Sequence, residues 1–223
     1  MTMHRLLLVG AFGCLAAVPL AAQGRGTIEQ RLDPQTFAAV RAIIDSARRD
    51  SVPSQALEDK ALEGVAKNVA PARIVAAVRQ LAGELRDTRA LLRAAAPNAA
   101  LADGEIIAAA DAQHRGVPPV ELSSLRAHVS SKSSLVVAFT VLGDLTQRGV
   151  PAGQARDVVE QLIEAGVSAQ QLADVPARMD VGLRVGAPPL DALRSALPVP
   201  LRPVRPPPGA TPPKPNPSGH SYF

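Results

Sequence analysis

The chain has 223 residues, with 24 Lys and Arg against 20 Asp and Glu, and a formal net charge of +4. Only 2% of the residues are aromatic. Cys14 is the single cysteine, so a disulfide framework within the chain is excluded. Between residues 24 and 200 the positive and negative side chains are equal in number, because the surplus cations lie before and after that range. The net charge therefore gives no support to a basic, nucleic-acid-binding face.

The first 23 residues have the order of a secretory signal peptide. Arg5 supplies the positive charge, residues 6–18 form an apolar run, and small residues follow. The run is too short to span a bilayer, so no transmembrane anchor is expected after cleavage. We predict an exported protein, periplasmic or secreted, with a signal peptide at 1–23. A lipoprotein anchored through Cys14 is the less favoured alternative, because Phe12 fits a lipobox poorly and the apolar run continues past the cysteine.

Residues 24–197 predict an all-α domain of about nine helices joined by tight corners. Apolar side chains recur at helical spacing, caps and breakers mark the ends, and no stretch alternates long enough to predict a strand. The predicted helices are 34–49, 53–67, 70–95, 102–115, 118–129, 134–148, 151–165, 168–179 and 188–197. Most of them begin at intervals of about 16 to 20 residues, a rhythm typical of antiparallel helical hairpins. Both an α-solenoid and an irregular helical bundle fit this pattern.

One junction recurs between these helices. It reads Arg-Gly-Val-Pro at 115–118 and again at 148–151, with looser copies around Val52, Val69 and Val167. Gly suits the left-handed conformation that closes a helix, and the basic side chain favours the negative end of the helix dipole. Ser or Pro then opens the next helix. The junction is therefore a signature of architecture and does not indicate a function.

Apolar residues before the helix starts are expected to pack onto the residue five positions later, as in a hydrophobic staple. The expected pairs are Leu32 with Phe37, Val52 with Leu57, Val69 with Ile74, Leu101 with Ile106, Val117 with Leu122, Val150 with Ala155, Val167 with Leu172 and Val185 with Leu190. Asp33 is predicted to be an N-cap, and Ser168 with Gln171 a capping box. Glu121 and Gln154 lie at the capping-box offset in their own copies.

A corner that resembles a helix-turn-helix motif, at residues 162–178, gives the alternative function. An Ala-Gly-Val turn precedes Ser168, which would cap the recognition helix. Gln170 and Gln171 would read bases, and Arg178 would contact a phosphate. A proline interrupts the supposed recognition helix and an aspartate would face the phosphates, so DNA binding is the second hypothesis and no nucleic acid partner is favoured.

Residue patterns for catalysis are absent from the sequence: it has no nucleophile elbow, phosphate loop or zinc-protease motif. Asp111 and His114 lie three residues apart on one predicted helix, with His128 on the next, and could begin a metal site. Solvated residues near a helix end are the favoured interpretation. Lys132, in the serine cluster at 130–134, does not have Ser-x-x-Lys spacing. We predict no enzyme, no catalytic or metal-binding residue and no cofactor.

The last 26 residues, 198–223, predict a disordered tail. Half of the residues in 198–217 are proline, which favours an extended, solvated chain. A spacer is the favoured interpretation, with a groove ligand or a contact to anionic envelope polymers as alternatives. The function predicted from the whole sequence is an exported helical interaction or scaffold protein that acts by contact, on a protein or cell-envelope partner, without catalysis.

Overall fold

The computed structural model describes residues 28–129 and 135–200. Of these residues 77% are helical and none forms a strand, which confirms the all-α prediction. In chain order the helices are α1 (Ile28–Arg31), α2 (Pro34–Arg49), α3 (Ser54–Ala66), α4 (Pro71–Ala95), α5 (Asp103–His114), α6 (Pro119–His128), α7 (Leu135–Gln147), α8 (Ala152–Glu164), α9 (Ala169–Ala173), α10 (Val175–Arg184) and α11 (Pro189–Ala196). The predicted signal peptide and the tail beyond residue 200 lie outside the described residues.

The helix boundaries lie within one residue of the predicted ones except at two places. The single turn α1 is an additional element that the sequence pattern does not predict. The predicted helix 168–179 is divided into α9 and α10 at Asp174, and α10 continues to Arg184. Pro176 follows the break and has no N–H to continue the hydrogen bonds of α9, so one uninterrupted helix is disfavoured there.

Six helix ends share one hydrogen-bonded junction. Each has a residue with positive φ, between 52° and 95°, at Ser51, Asn68, Gly116, Gly149, Gly166 or Gly186. The next residue donates its backbone N–H to the carbonyl five residues earlier, with N to O distances of 2.8 to 3.1 Å. This is the Schellman motif. The apolar residue after the positive φ thus closes one helix and directly precedes the N-cap of the next.

The sixth copy of the junction shows that the prediction for Val185 is wrong. Val185 is expected to staple onto Leu190, but its side chain is 83% exposed. Gly186 has the positive φ, and Ala187 donates to Gly182 in the place that valine takes elsewhere. The junction is therefore shifted by one residue and uses alanine as its apolar member.

The predicted N-caps are confirmed where the capping side chain can accept a hydrogen bond from a backbone N–H. Asp33 accepts from the N–H groups of the first turn of α2, and the capping box of Ser168 and Gln171 is present. In the copies that begin with Pro, the proline itself is the N-cap, and it has no N–H to donate to a capping-box side chain. Glu121 therefore makes no capping box and lies instead 3.3 Å from Nε of Arg156 on α8.

Helices that are close in the chain pack against each other, and the extensive contacts join helices no more than three places apart in chain order. α5 and α7 run parallel, since a side chain on Gly104 would meet Val136 and one on Gly143 would meet Ala112. The facing residues are roughly 32 positions apart, and so are Glu121 on α6 and Gly153 on α8. A two-helix unit that repeats and contacts only its neighbours is the arrangement of an α-solenoid. The contacts therefore favour the solenoid over the bundle.

The apolar core is divided into two clusters along this array. The first is formed mainly by α2, α3 and the first part of α4, and the second by α5 to α11. The 25-residue helix α4 joins them, because Val78 and Leu85 belong to the first cluster and Leu92 to the second. Leu101, in the loop before α5, packs against both.

Candidate interaction surface

The polar residues singled out as a possible metal site do not converge. Asp111 pairs with Arg115 at 2.7 Å, whereas His114 directs Nε2 to Glu84 on α4 at 3.0 Å. His128 lies against a backbone carbonyl of its own helix. Among the residues that the structure describes, no group of three His, Cys, Asp or Glu is placed to hold a metal ion. The serine cluster with Lys132 lies outside those residues.

The residues suggested as base readers are engaged within their own corner. Gln171 bonds to Ser168 in the capping box, and Gln170 donates to Asp174 at 2.9 Å. Arg178 lies 3.6 Å from the same aspartate. α9 has five residues and ends at Asp174, so this corner presents no continuous recognition helix.

A row of alternating aspartates and arginines crosses three helices near their C-terminal ends. Its members follow the spacing Asp-x-x-x-Arg on α5, α7 and α10, and we name the row the charge ladder: Asp111, Arg115, Asp144, Arg148, Asp180 and Arg184. Arg115 pairs with Asp144 of the next helix in the row. Arg148 donates from Nε and Nη2 to the two carboxylate oxygens of Asp180, at 2.7 and 3.1 Å. Each of these two arginines thus links one repeat to the next.

Electrostatics reinforce the link between α7 and α10. The hydrogen bond from Arg148 lowers the pKa of Asp180, and the same contact raises the pKa of Arg148. Two parallel N–H to oxygen bonds fix the orientation of the guanidinium as well as its distance. The ladder therefore holds neighbouring repeats in register.

We expect Asp180→Asn to destabilise the protein at pH 7 and to lose this effect in acid. The pKa of Asp180 is lower in the folded protein, so its ion pair stabilises above the unfolded-state pKa and is lost as the pH falls through the folded-state pKa. Urea denaturation at pH 7 and at several values below about pH 4 measures the difference. Asp191→Asn, which removes an exposed pair within α11, is the matched control and should change stability little. An equal loss from Asp180→Asn at every pH would contradict the electrostatic explanation.

α10, together with its C-cap residue Val185, turns an apolar stripe toward solvent. Val181 is 60% and Val185 83% exposed, and Ala177 is exposed one turn earlier. Residues four apart share one side of a helix, and the helical spacing places Arg178 on one edge of the stripe and Arg184 on the other. We name these five residues the α10 face. Its arginines give it a positive rim.

The α10 face carries positions that the two preceding repeats bury. Three and seven residues before the ladder arginine stand Ala112 and Ala108 on α5, Leu145 and Val141 on α7, and Val181 and Ala177 on α10. The four residues on α5 and α7 are at most 8% exposed, and Ala112 lies directly against Gly143 of the next parallel helix. Within the part of the chain that the structure describes, no further helix covers the equivalent positions on α10.

The signal that could have revealed the ladder is present in the sequence. An aspartate stands four residues before the arginine at both Arg-Gly-Val-Pro junctions and again at Asp180. The sequence pattern alone assigns Arg115 and Arg148 only a role at the helix dipole, because nothing local shows that they reach the next repeat.

No helix among residues 28–129 and 135–200 combines the length and the apolar character needed to cross a membrane. Comparison of the chain with protein-family models, curated proteins and solved structures gave no match.

Proposed function

We propose that this protein is an exported helical scaffold that binds a protein partner through the α10 face. The observation that supports this function is the exposure of Ala177 and Val181 at positions that the preceding repeats bury, with Val185 exposed beside them. The last repeat of a solenoid needs a polar outer face, because no further repeat covers its apolar side chains and removes them from water. Full burial of a valine side chain contributes roughly 1.5 to 3 kcal/mol, so a partner that covers both would gain appreciable binding energy.

The rest of the architecture supports a role by contact. A solenoid offers an extended surface on which side chains stand at regular intervals. The charge ladder fixes the orientation of α10 against α7, through the paired Arg148 and Asp180. A surface held in its binding conformation loses less entropy on association.

Site-specific photo-crosslinking tests this binding. A photoreactive phenylalanine analogue at position 181 of the full-length chain, expressed in its native cells, should give one defined adduct after irradiation. Position 120 is the matched control, because Val120 is 62% exposed on α6, which has no extensive contact with α10. No adduct at position 181, or the same adduct from both positions, would contradict the proposed function.

Export is the second part of the proposal, and it is supported by the order of Arg5, the apolar run and the small residues after it. Mass spectrometry of the native protein should find an N-terminus near residue 24. A chain that retains residues 1–23 would contradict export by signal cleavage.

A further inference from the structure

We propose that the partner's binding element is an amphipathic helix whose apolar stripe is flanked by carboxylates. This inference rests on the proposed function and names the chemistry that the α10 face recognises. Three features support it: the open end of the charge ladder, the charges at the rim of the face, and the poor fit of this chain's own residues as a cover.

The ladder arginines on α5 and α7 each pair with an aspartate on a later helix. Arg115 on α5 reaches an aspartate on α7, and Arg148 on α7 reaches an aspartate on α10. Arg184 is the next member, and it donates from Nε to the backbone carbonyl of Asp180 on its own helix at 3.2 Å. A helix seated on α10 in the same way would bring a carboxylate to Arg184.

The rim of the face favours acidic groups on both sides of the partner's stripe. Arg178 and Arg184 lie on opposite edges of Val181 and Val185, and Arg178 is 3.6 Å from its only close carboxylate within the described chain, that of Asp174. A helix with leucine or valine along one side and Glu or Asp along both flanks matches this pattern. Complementary charge adds specificity and speeds association.

A second copy of this chain is a poor occupant. Two α10 faces paired antiparallel about Val181 would place Arg178 of one copy against Arg184 of the other. A head-to-tail copy would offer the exposed side of α2, where Asp45 is already paired with Arg41 and Arg48. The first arrangement brings like charges together, and the second offers a carboxylate that its own helix already pairs, so both match the face poorly.

The chain's own C-terminal residues are a poor occupant as well. Residues 198–223 contain three Lys and Arg and no Asp or Glu. Half of residues 198–217 are proline, which cannot continue a helix. This segment supplies neither the flanking side-chain carboxylates nor the helix.

Binding of two designed peptides to the full-length chain tests the inference. The first is an 18-residue fluorescein-labelled helix with leucines on one stripe and glutamates on both flanks, and the second has lysines in place of the glutamates. Fluorescence anisotropy should show binding of the acidic peptide with a Kd in the micromolar range and no binding of the basic one. Raising the salt concentration should weaken the complex, because salt screens the ion pairs.

Four variants of the protein locate the contact. Val181→Asp and Arg184→Glu should each weaken binding of the acidic peptide at least tenfold. The matched controls Val120→Asp and Arg79→Glu change an exposed valine on α6 and an exposed arginine on α4, and should bind as the wild type does. Circular dichroism should show that all four retain the helical content of the wild type, because each changed side chain is exposed.

Three results would overturn the inference. The first is equal binding of both peptides, and the second is wild-type affinity in Val181→Asp. The third is a dimer in sedimentation velocity that Val181→Asp dissociates, which would assign the face to a second copy. A crosslink at position 181 without binding of the acidic peptide would refute only the partner's chemistry, whereas loss of that crosslink would refute the proposed function itself.

Discussion

Replacing Arg126 with alanine should lower the free energy of unfolding by roughly 3 to 5 kcal/mol, the usual effect of breaking one side of a buried ion pair. Only 4% of the Arg126 side chain is exposed. Its guanidinium lies 2.7 Å from Glu105 at the start of α5 and also donates to the carbonyl of Ala100. The substitution leaves a largely buried carboxylate and a carbonyl without their donor, which costs more than the pair itself contributes.

A double variant separates the cost of leaving the carboxylate unpaired from the contribution of the ion pair itself. Arg126→Met with Glu105→Leu removes both charges and keeps apolar volume, so we expect it to unfold in urea much closer to the wild type than Arg126→Ala does. The m-value should stay unchanged if the variants alter stability alone. A double variant as unstable as the single one would show that the loss comes from the Ala100 carbonyl left without its donor, not from the unpaired carboxylate.

The local parts of this fold could be predicted from the sequence. The helix ends at Gly116, Gly149 and Gly166 follow from the conformational freedom of glycine, and the capping box at Ser168 from the chemistry of its own side chain. These features depend on residues within one turn of each other. Their positions therefore follow from the local sequence, although the helices themselves are stabilised by packing.

Where two local signals compete, the sequence pattern predicts the structure less well. Val185 has the apolar character and the spacing of a staple, yet the junction forms one residue later than in the other copies. Gly186 adopts the positive φ, a conformation that is strained for the β-branched valine. At Asp174 the apolar pattern continues from α9 into α10 while Pro176 interrupts the hydrogen bonds. The pattern of side chains predicts one helix, and the missing N–H divides it.

The candidate surface could not be predicted, because it is defined by what lies beside it. Val181 has the same helical spacing as Ala112 and Leu145. Only the order of helix contacts shows that Ala112 and Leu145 are buried whereas Val181 is exposed. The ladder contacts join residues about 30 positions apart, well beyond the range of a helical pattern. The choice between solenoid and bundle depended on the same long-range contacts.

Phe139→Ala should also destabilise the protein by roughly 3 to 5 kcal/mol, as large-to-small substitutions of buried aromatics do. Phe139 is fully buried on α7, in a cluster otherwise built from Ala, Val, Leu and Met. The surrounding helices already approach closely, since a side chain on Gly143 would come within 3.1 Å of the Ala112 backbone. They have little room to move inward, so most of the cavity should remain and contribute to the loss.

Phe37→Ala is the matched control for this prediction, because Phe37 is the other phenylalanine in the described chain and is only half-buried on α2. Thermal or urea unfolding should show a loss less than half as large as that of Phe139→Ala. Similar losses would mean that the second cluster relaxes around the missing ring. Because α5, α7 and α10 also carry the charge ladder, such a relaxation would shift the residues that orient the α10 face. Phe139→Ala would then also weaken binding of the acidic peptide, which fluorescence anisotropy measures.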